Sequence, residues 1–206
     1  MKNFSRSPEG SILTLVAIAV LGLITAALTL EPIVASAAAA QQTKATTKDD
    51  VKVERGAYLV KIMACNDCHT PWKLGPQGPE PDMTRMLSGH PESVVVPPVM
   101  PRTEEPWAWA GTATNTAFTG PWGISFTANL TPDSETGLGK WTPETFIRAI
   151  RTGRHEGQGR PILPPMPYPM YRQATDEDLR AVFAFLQSIP PISNRVPQPV
   201  DPPESE

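Results

Sequence analysis

Two cysteines and a histidine lie within one short run, Cys65-Asn66-Asp67-Cys68-His69. This pattern attaches a c-type haem, because its spacing lets each thiol reach a different vinyl group of one porphyrin. The histidine that follows then lies beneath the iron as its proximal ligand. The chain contains only these two cysteines, so the sequence predicts one covalent haem c, held by Cys65, Cys68 and His69.

A pair of cysteines at this spacing is also open to other chemistry. The pair could form a disulfide, a redox pair of the thioredoxin type, or half of a zinc site. A zinc site needs a second pair of ligands, and the remaining histidines, His90 and His155, are far apart in the sequence. A thioredoxin-like fold needs alternating strands and helices, which this proline-rich chain does not suggest. Haem attachment is therefore the favoured interpretation.

The iron of such a haem takes a second axial ligand from the chain, or water. Met166 is flanked by Pro165 and Pro167, whose fixed φ angles hold the chain extended and aim the thioether at little further entropic cost. Other methionines in a sequence are normally core filler. We predict Met166 as the distal ligand, and the alternatives within the chain are Met170, Met100, His90 and His155.

Haem propionates also need hydrogen-bond donors from the protein. Arg154, Arg160 and the indole of Trp141 lie in predicted loops from which they could reach such groups. Each arginine could equally be solvated at the surface, as arginines usually are. The sequence names these three candidates and does not choose among them.

The bulk composition limits the architecture. With 206 residues, the chain suggests one domain plus appendages. Its 25 prolines and 14 glycines imply that much of it lies in loops, and a buried porphyrin would supply apolar core that a small loop-rich domain lacks. The net charge of -3 argues against a nucleic-acid partner.

The amino end predicts export. Residues 11–30 form an apolar run long enough to span a bilayer as a helix, and the basic flank keeps the first residues cytoplasmic. Small residues near 35–40 could instead be read by a signal peptidase. We expect a signal or membrane-anchor segment over 1–31, with the anchor favoured, and a flexible linker over 32–49.

The remaining chain divides into helices separated by proline-rich stretches. Helical spacing and caps predict helices from about Asp50 to Ala64, from Thr142 to Gly153, and from Thr175 through Ser188. The first helix carries Gly56, which costs about 1 kcal/mol relative to alanine and so suggests close approach by another helix. The region 71–121 predicts a long loop insert with one possible strand at 93–96, and residues 192–206 a flexible tail.

These features resemble class I, single-haem cytochromes c, and more narrowly the cytochrome domains of haem subunits of bacterial membrane dehydrogenases. The likeness rests on the haem motif and on four further stretches, Arg55-Gly56-Ala57-Tyr58-Leu59, Asn129-Leu130-Thr131-Pro132-Asp133 with Thr136-Gly137 and Trp141, Pro164-Pro165-Met166-Pro167, and Asp176-Glu177-Asp178-Leu179 with Ala184-Phe185-Leu186. The departures are the insert and the single haem motif, where many such subunits carry two or three.

The resemblance implies a mainly α-helical, cytochrome c-like fold over 50–191, wrapped around one covalent haem. Its first and last helices would cross at Gly56, close to Val182 or Phe185, and Met166 stands where the family keeps its axial methionine. The expected function is one-electron transfer to and from redox partner proteins at the periplasmic side of the membrane, as a carrier rather than an enzyme. The alternatives are a fixed haem subunit of a larger oxidoreductase, a soluble periplasmic protein after cleavage, and a peroxidase-like haem enzyme.

Overall fold

The computed structural model describes residues 47–97 and 108–202. The predicted anchor or signal segment 1–31 and the alternative ligand Met100 lie outside these residues. Within the described ranges, every helix is too short or too polar to cross a membrane.

Five α-helices are present in the described residues, and their ends follow the predicted caps closely. Thr142 caps one helix and Thr175 caps another, each accepting a hydrogen bond from a first-turn backbone N–H. The first helix begins at a capping box formed by Thr47 and Asp50, so it starts two residues before the predicted Asp50. The helices are α1 Lys48–Ile62, α2 Cys65–His69, α3 Pro143–Thr152, α4 Tyr168–Tyr171 and α5 Asp176–Ser188.

Five short strands form two antiparallel sheets in the described part of the chain. The first sheet is a hairpin of β1 and β2, and the second has the order β3-β4-β5. Gly78 and Gly123 lie at the hairpin turns with positive φ angles of 118° and 91°, which glycine adopts most readily. The strands are β1 Trp72–Gly75, β2 Gly78–Pro81, β3 Ala110–Gly111, β4 Ala117–Gly120 and β5 Gly123–Phe126.

The strands correct two sequence predictions. The prediction of a mainly α-helical, cytochrome c-like fold is wrong, because both sheets accompany the helices and fewer than half of the described residues are helical. The region 71–121 is not a loop insert with one strand at 93–96, since those four residues lie outside every strand. All five strands fall in or next to this region, and each is only two to four residues long. Strands this short show too little alternation of apolar and polar residues to be recognised in the sequence.

Helices α1, α3 and α5 build the hydrophobic core. The large buried apolar residues that these helices contribute are Leu59, Val60, Phe146, Ile147, Ile150, Leu179, Val182, Phe183 and Leu186. Helix α1 crosses α5 at Gly56, where a Cβ atom would collide with the carbonyl of Ala181 and lie 2.8 Å from Cβ of Phe185. The predicted close approach at Gly56 is therefore present, with the backbone of Ala181 as the nearest group.

The segment after α5 is packed against the rest of the chain. Asn194 is fully buried and donates hydrogen bonds to the carbonyls of Ser88 and His90. Val200 pairs with Ile124 through two backbone hydrogen bonds of 2.8 and 2.9 Å. Through residue 202 this segment thus differs from the flexible tail expected from residue 192, although the domain boundaries themselves stay a prediction.

Candidate haem site

The cysteine–histidine run forms its own short helix, α2. Ala64 separates it from α1 with a left-handed φ of 55°, so the chain changes direction just before the first thiol. Cys65, Cys68 and His69 then follow at positions i, i+3 and i+4, which share one face of a helix. Both thiols are free. The local geometry presents all three side chains to the same side.

That side is one wall of a cavity of about 1000 Å³, at the upper end of the roughly 300–1,000 Å³ range of small-molecule and cofactor sites. The four predicted site residues, Cys65, Cys68, His69 and Met166, all line it. Its other walls include apolar side chains from several elements, namely Phe118, Leu130, Leu138, Phe146, Ile150, Leu179, Val182 and Leu186. An apolar cavity of this size with two thiols and an imidazole fits a covalent porphyrin.

His69 is held in one orientation. Its side chain is buried, and its Nδ1 lies 2.8 Å from the carbonyl oxygen of Ala128. A carbonyl only accepts, so Nδ1 must carry the proton, and Nε2 keeps its lone pair. Burial also lowers the pKa of His69, which keeps the imidazole neutral. A neutral ring fixed through its other nitrogen is the usual form of a metal-binding histidine.

The two thiols are poor candidates for disulfide exchange. Burial raises the pKa of Cys65 to about 12, and burial followed by the charge of Asp67 raises the pKa of Cys68 as well. Cysteines of thioredoxin-like redox pairs have lowered pKa values instead, since the thiolate is the nucleophile. The environment of Cys65 and Cys68 therefore argues against a redox pair of the thioredoxin type.

Two side chains that lie outside α2 donate hydrogen bonds to the turn between the cysteines. The carbonyl of Asp67 accepts a hydrogen bond of 3.1 Å from Nε1 of Trp72 and one of 2.7 Å from Nδ2 of Asn115. Both donors belong to the region that the sequence predicted as a loop insert. Trp72 and Asn115 of this region thus brace the short helix that carries the two cysteines.

The alternative distal ligands differ sharply in position. Met166 lines the cavity, whereas Met170 is 71% exposed and lies outside its lining. His155 lines the cavity and stacks edge-on against Trp141, with ring centroids 5.2 Å apart. Met166 is therefore the one predicted methionine among the described residues that faces the cavity.

His90 is a structural histidine. It is fully buried away from the cavity lining, and its Nδ1 and Nε2 each lie 2.9 Å from a partner, Oγ1 of Thr116 and the carbonyl of Val94 respectively. Because the carbonyl must accept, Nε2 carries the proton and Nδ1 accepts from the hydroxyl. Both ring nitrogens are already engaged within the protein.

The three candidates for propionate binding separate in the same way. Arg160 and Trp141 line the cavity, and burial lowers the pKa of Arg160. Arg154 lies outside the lining and donates to the carbonyl of Gly159. Two further arginines that sequence reasoning missed, Arg148 and Arg195, also line the cavity.

Sequence reasoning also missed residues that make hydrogen bonds to the predicted ligands or to the backbone near them. Ala128 orients His69, Ser125 donates to the backbone beside Met166, and Tyr171 donates from its hydroxyl to the carbonyl of Met63. Ala128 directly precedes Asn129-Leu130-Thr131-Pro132-Asp133, one of the stretches on which the family resemblance rests, so its neighbours in the sequence could have drawn attention to it. Ser125 and Tyr171 act through contacts that only the folded chain reveals.

No family model matches the chain, but curated proteins do. A nicotinate dehydrogenase subunit of Pseudomonas putida is 39% identical over 77 residues, which cover 37% of this chain and 6% of that protein. The cytochrome c subunit of the quinone alcohol dehydrogenase of Gluconobacter oxydans is 28% identical over 152 residues, 72% of this chain and 24% of that protein. The fructose dehydrogenase cytochrome subunit of Gluconobacter japonicus is 35% identical over 72 residues, 35% and 15% respectively.

The chain thus spans a quarter or less of the length of each of these relatives. Two of them are named as cytochrome subunits, and all three are parts of dehydrogenases. The chain is therefore similar to part of the cytochrome subunits of bacterial dehydrogenases.

Proposed function

We propose that this chain transfers single electrons through one covalently bound haem c. Cys65 and Cys68 are its attachment points, His69 is the proximal ligand and Met166 the distal ligand. The observation that carries the proposal is that all four side chains line one cavity of about 1000 Å³. The presence of only two cysteines in the chain supports a single haem.

The residues that line the cavity have different roles toward the haem. The haem, when bound, supplies a reversible one-electron centre. His69 offers a neutral Nε2 because Ala128 holds its Nδ1, and Met166 offers a thioether, which favours the ferrous form and raises the potential. The apolar walls exclude water and so limit the cost of reorganisation around the centre. If His69 and Met166 both held the iron of a bound haem, no position would be left for a substrate, so we infer a carrier and not an enzyme.

The redox partner that the relatives suggest for this chain is a dehydrogenase. The relatives are named as subunits of dehydrogenases that act on nicotinate, alcohol and fructose. We infer that this chain likewise accepts electrons from a dehydrogenase subunit and passes them on. Isolation of the tagged chain under mild conditions tests this inference: a co-purifying dehydrogenase whose substrate reduces the haem supports a fixed subunit, and a haem reduced only by an added, separate donor indicates a free carrier.

We propose a location at the periplasmic side of the cytoplasmic membrane. Covalent haem attachment takes place outside the cytoplasm in bacterial cytochromes of this kind, and the apolar run at 11–30 fits either an anchor or a cleaved leader. Fractionation distinguishes the two. A retained anchor requires detergent for extraction, whereas amino-terminal sequencing that begins near Ala38 or Gln41 would indicate a cleaved, soluble periplasmic protein.

Haem staining after denaturation, combined with optical spectra in both redox states, tests the covalent haem. The double variant Cys65→Ala/Cys68→Ala should lose the stain, because no thiol remains to form a thioether bond. Asp67→Asn is the matched control, since it changes the same turn while keeping both thiols and the backbone carbonyl that Trp72 and Asn115 bind. Equal staining of the double variant and the wild type would overturn the proposal.

A further inference from the structure

Ser125 connects the three-stranded sheet to the loop that carries Met166. Its side chain is 7% exposed, and its Oγ donates a hydrogen bond of 2.6 Å to the carbonyl oxygen of Pro164. A second acceptor, the carbonyl of Phe118, lies 3.4 Å away. One hydroxyl donates one proton, and the shorter contact has the better hydrogen-bond distance. Ser125 is therefore bonded chiefly to the backbone two residues before Met166.

The prolines of this loop restrict its φ angles, but the loop makes few hydrogen bonds of its own. Pro164, Pro165 and Pro167 have no N–H and cannot donate. The N–H of Met166 reaches the carbonyl of Leu163 over a long 3.3 Å. Among the described residues, Ser125 supplies the one side-chain hydrogen bond to the backbone of residues 163–167. From outside the loop, Ser125 thus holds the backbone that precedes Met166, while Pro167 on the other side accepts from the N–H groups of Met170 and Tyr171 in α4.

The strand that carries Ser125 is well suited to give that support. In β5, Ser125 pairs with Phe118 of β4 on one edge. On the other side, the neighbouring Ile124 exchanges two backbone hydrogen bonds with Val200. A strand held at both edges moves less than the loop it contacts.

We propose that Ser125 is a positioning residue for the distal ligand: its hydroxyl holds the Pro164 carbonyl and so keeps the thioether of Met166 directed into the cavity. This inference rests on the proposed function for the identity of the ligand, while the link between Ser125 and the loop is independent of it. Without the hydrogen bond, the loop samples conformations in which Met166 leaves the cavity. The ferric protein reveals this first, since a thioether is a weaker ligand for ferric than for ferrous iron.

The test compares Ser125→Ala with two other variants of the holoprotein. Ser125→Thr keeps the hydroxyl and should restore the wild-type behaviour. Thr119→Val is the matched control, because Thr119 lies in the neighbouring strand β4, is buried, and has an Oγ1 with no hydrogen-bond partner among the described residues. Two quantities are measured: amide hydrogen exchange of the peptide that contains Met166, and the rate at which cyanide binds the ferric protein.

In Ser125→Ala we expect both quantities to rise roughly fivefold, the factor that corresponds to one net hydrogen bond. Covalent haem stain should be unchanged, and Thr119→Val should match the wild type in both measurements. Equal exchange in Ser125→Ala and Thr119→Val would overturn the proposed link to the loop. Faster exchange with unchanged cyanide binding would overturn the positioning of Met166. Absence of covalent haem from the wild type would instead refute the proposed function, and the exchange result would still decide whether Ser125 holds the loop.

Discussion

The imidazole of His69 and the carbonyl of Ala128 are joined by a hydrogen bond of 2.8 Å between residues far apart in the sequence. The position of the Ala128 carbonyl is fixed by the next residue, Asn129, which is 4% exposed. Oδ1 of Asn129 accepts from the N–H and the hydroxyl of Thr131, and its Nδ2 donates to the carbonyl of Ile192 over 2.8 Å. The orientation of His69 therefore depends on a buried amide that also holds the segment after α5.

Asn129→Ala should lower the free energy of unfolding by about 3 kcal/mol, because it removes several buried hydrogen bonds at once and leaves the N–H of Thr131 without its partner. Urea unfolding of the holoprotein measures the change. Gln187→Ala is the control, since this part-buried amide makes one hydrogen bond, to the carbonyl of Leu138, and should cost about 1 kcal/mol. A smaller loss for Asn129→Ala than for Gln187→Ala would contradict the importance given to this network.

Gly56→Ala should also destabilise the protein, although alanine has the higher intrinsic helix propensity. Propensity alone favours alanine in a helix interior by about 1 kcal/mol. The added Cβ would collide with the carbonyl of Ala181 and force α1 away from α5, and overpacking of this kind costs roughly 1–3 kcal/mol. We expect a net loss, measured by thermal unfolding. Glu54→Ala, an exposed change on the same helix, should leave the midpoint nearly unchanged, and a stabilised Gly56→Ala would show that the helices are not in close contact there.

Local sequence signals were sufficient where they did not depend on distant parts of the chain. The caps at Thr142 and Thr175 and the left-handed Gly153 that ends α3 were predictable from residue type alone. The thiols and His69 were predictable as neighbours because their spacing places them on one helical face. The close crossing at Gly56 followed from the cost of a glycine inside a helix.

The strands and the supports of the site could not be predicted in the same way. Strand β3 has two residues, and β2 reads Gly-Pro-Glu-Pro, which opposes strand formation by propensity. These strands exist through pairing and packing. Likewise, nothing in its neighbours marks Ser125 as the residue that holds the Pro164 carbonyl, since the two meet only in the folded chain.

His90 should make the protein less stable in mild acid. Burial lowers the pKa of His90 in the folded state, whereas the unfolded chain has the ordinary value of about 6.5. The unfolded state therefore takes up the proton first, and stability that is present above about pH 6.5 falls as the pH drops below it. The loss is limited to about 1.4 kcal/mol per pH unit for one proton.

Urea unfolding at pH 7.5 and 5.5 measures this dependence. His90→Gln retains an amide that can donate to the carbonyl of Val94 and accept from Thr116, but it has no proton to gain. Its stability should change less between the two pH values than that of the wild type. Burial also lowers the pKa of His155. The pH dependence of His155→Gln is therefore measured as well, so that the contributions of the two histidines can be separated. An identical pH dependence in the wild type and His90→Gln would exclude His90 as a source of acid sensitivity.

Met166 and Met170 provide the sharpest comparison within the site, because they lie on one short segment but only Met166 lines the cavity. Met166→Ala should leave the haem attached through Cys65 and Cys68 and open the iron, so that cyanide binds the ferric protein faster by roughly tenfold or more. Met166→His should keep the iron closed and lower the reduction potential by on the order of 100 mV, since the imidazole stabilises the ferric form relative to a thioether. Met170→Ala removes a side chain that is 71% exposed and should change neither quantity. Faster cyanide binding in Met170→Ala, with Met166→Ala still closed, would assign the ligand to Met170. Equally fast binding in the wild type and Met166→Ala would mean that Met166 does not bind the iron.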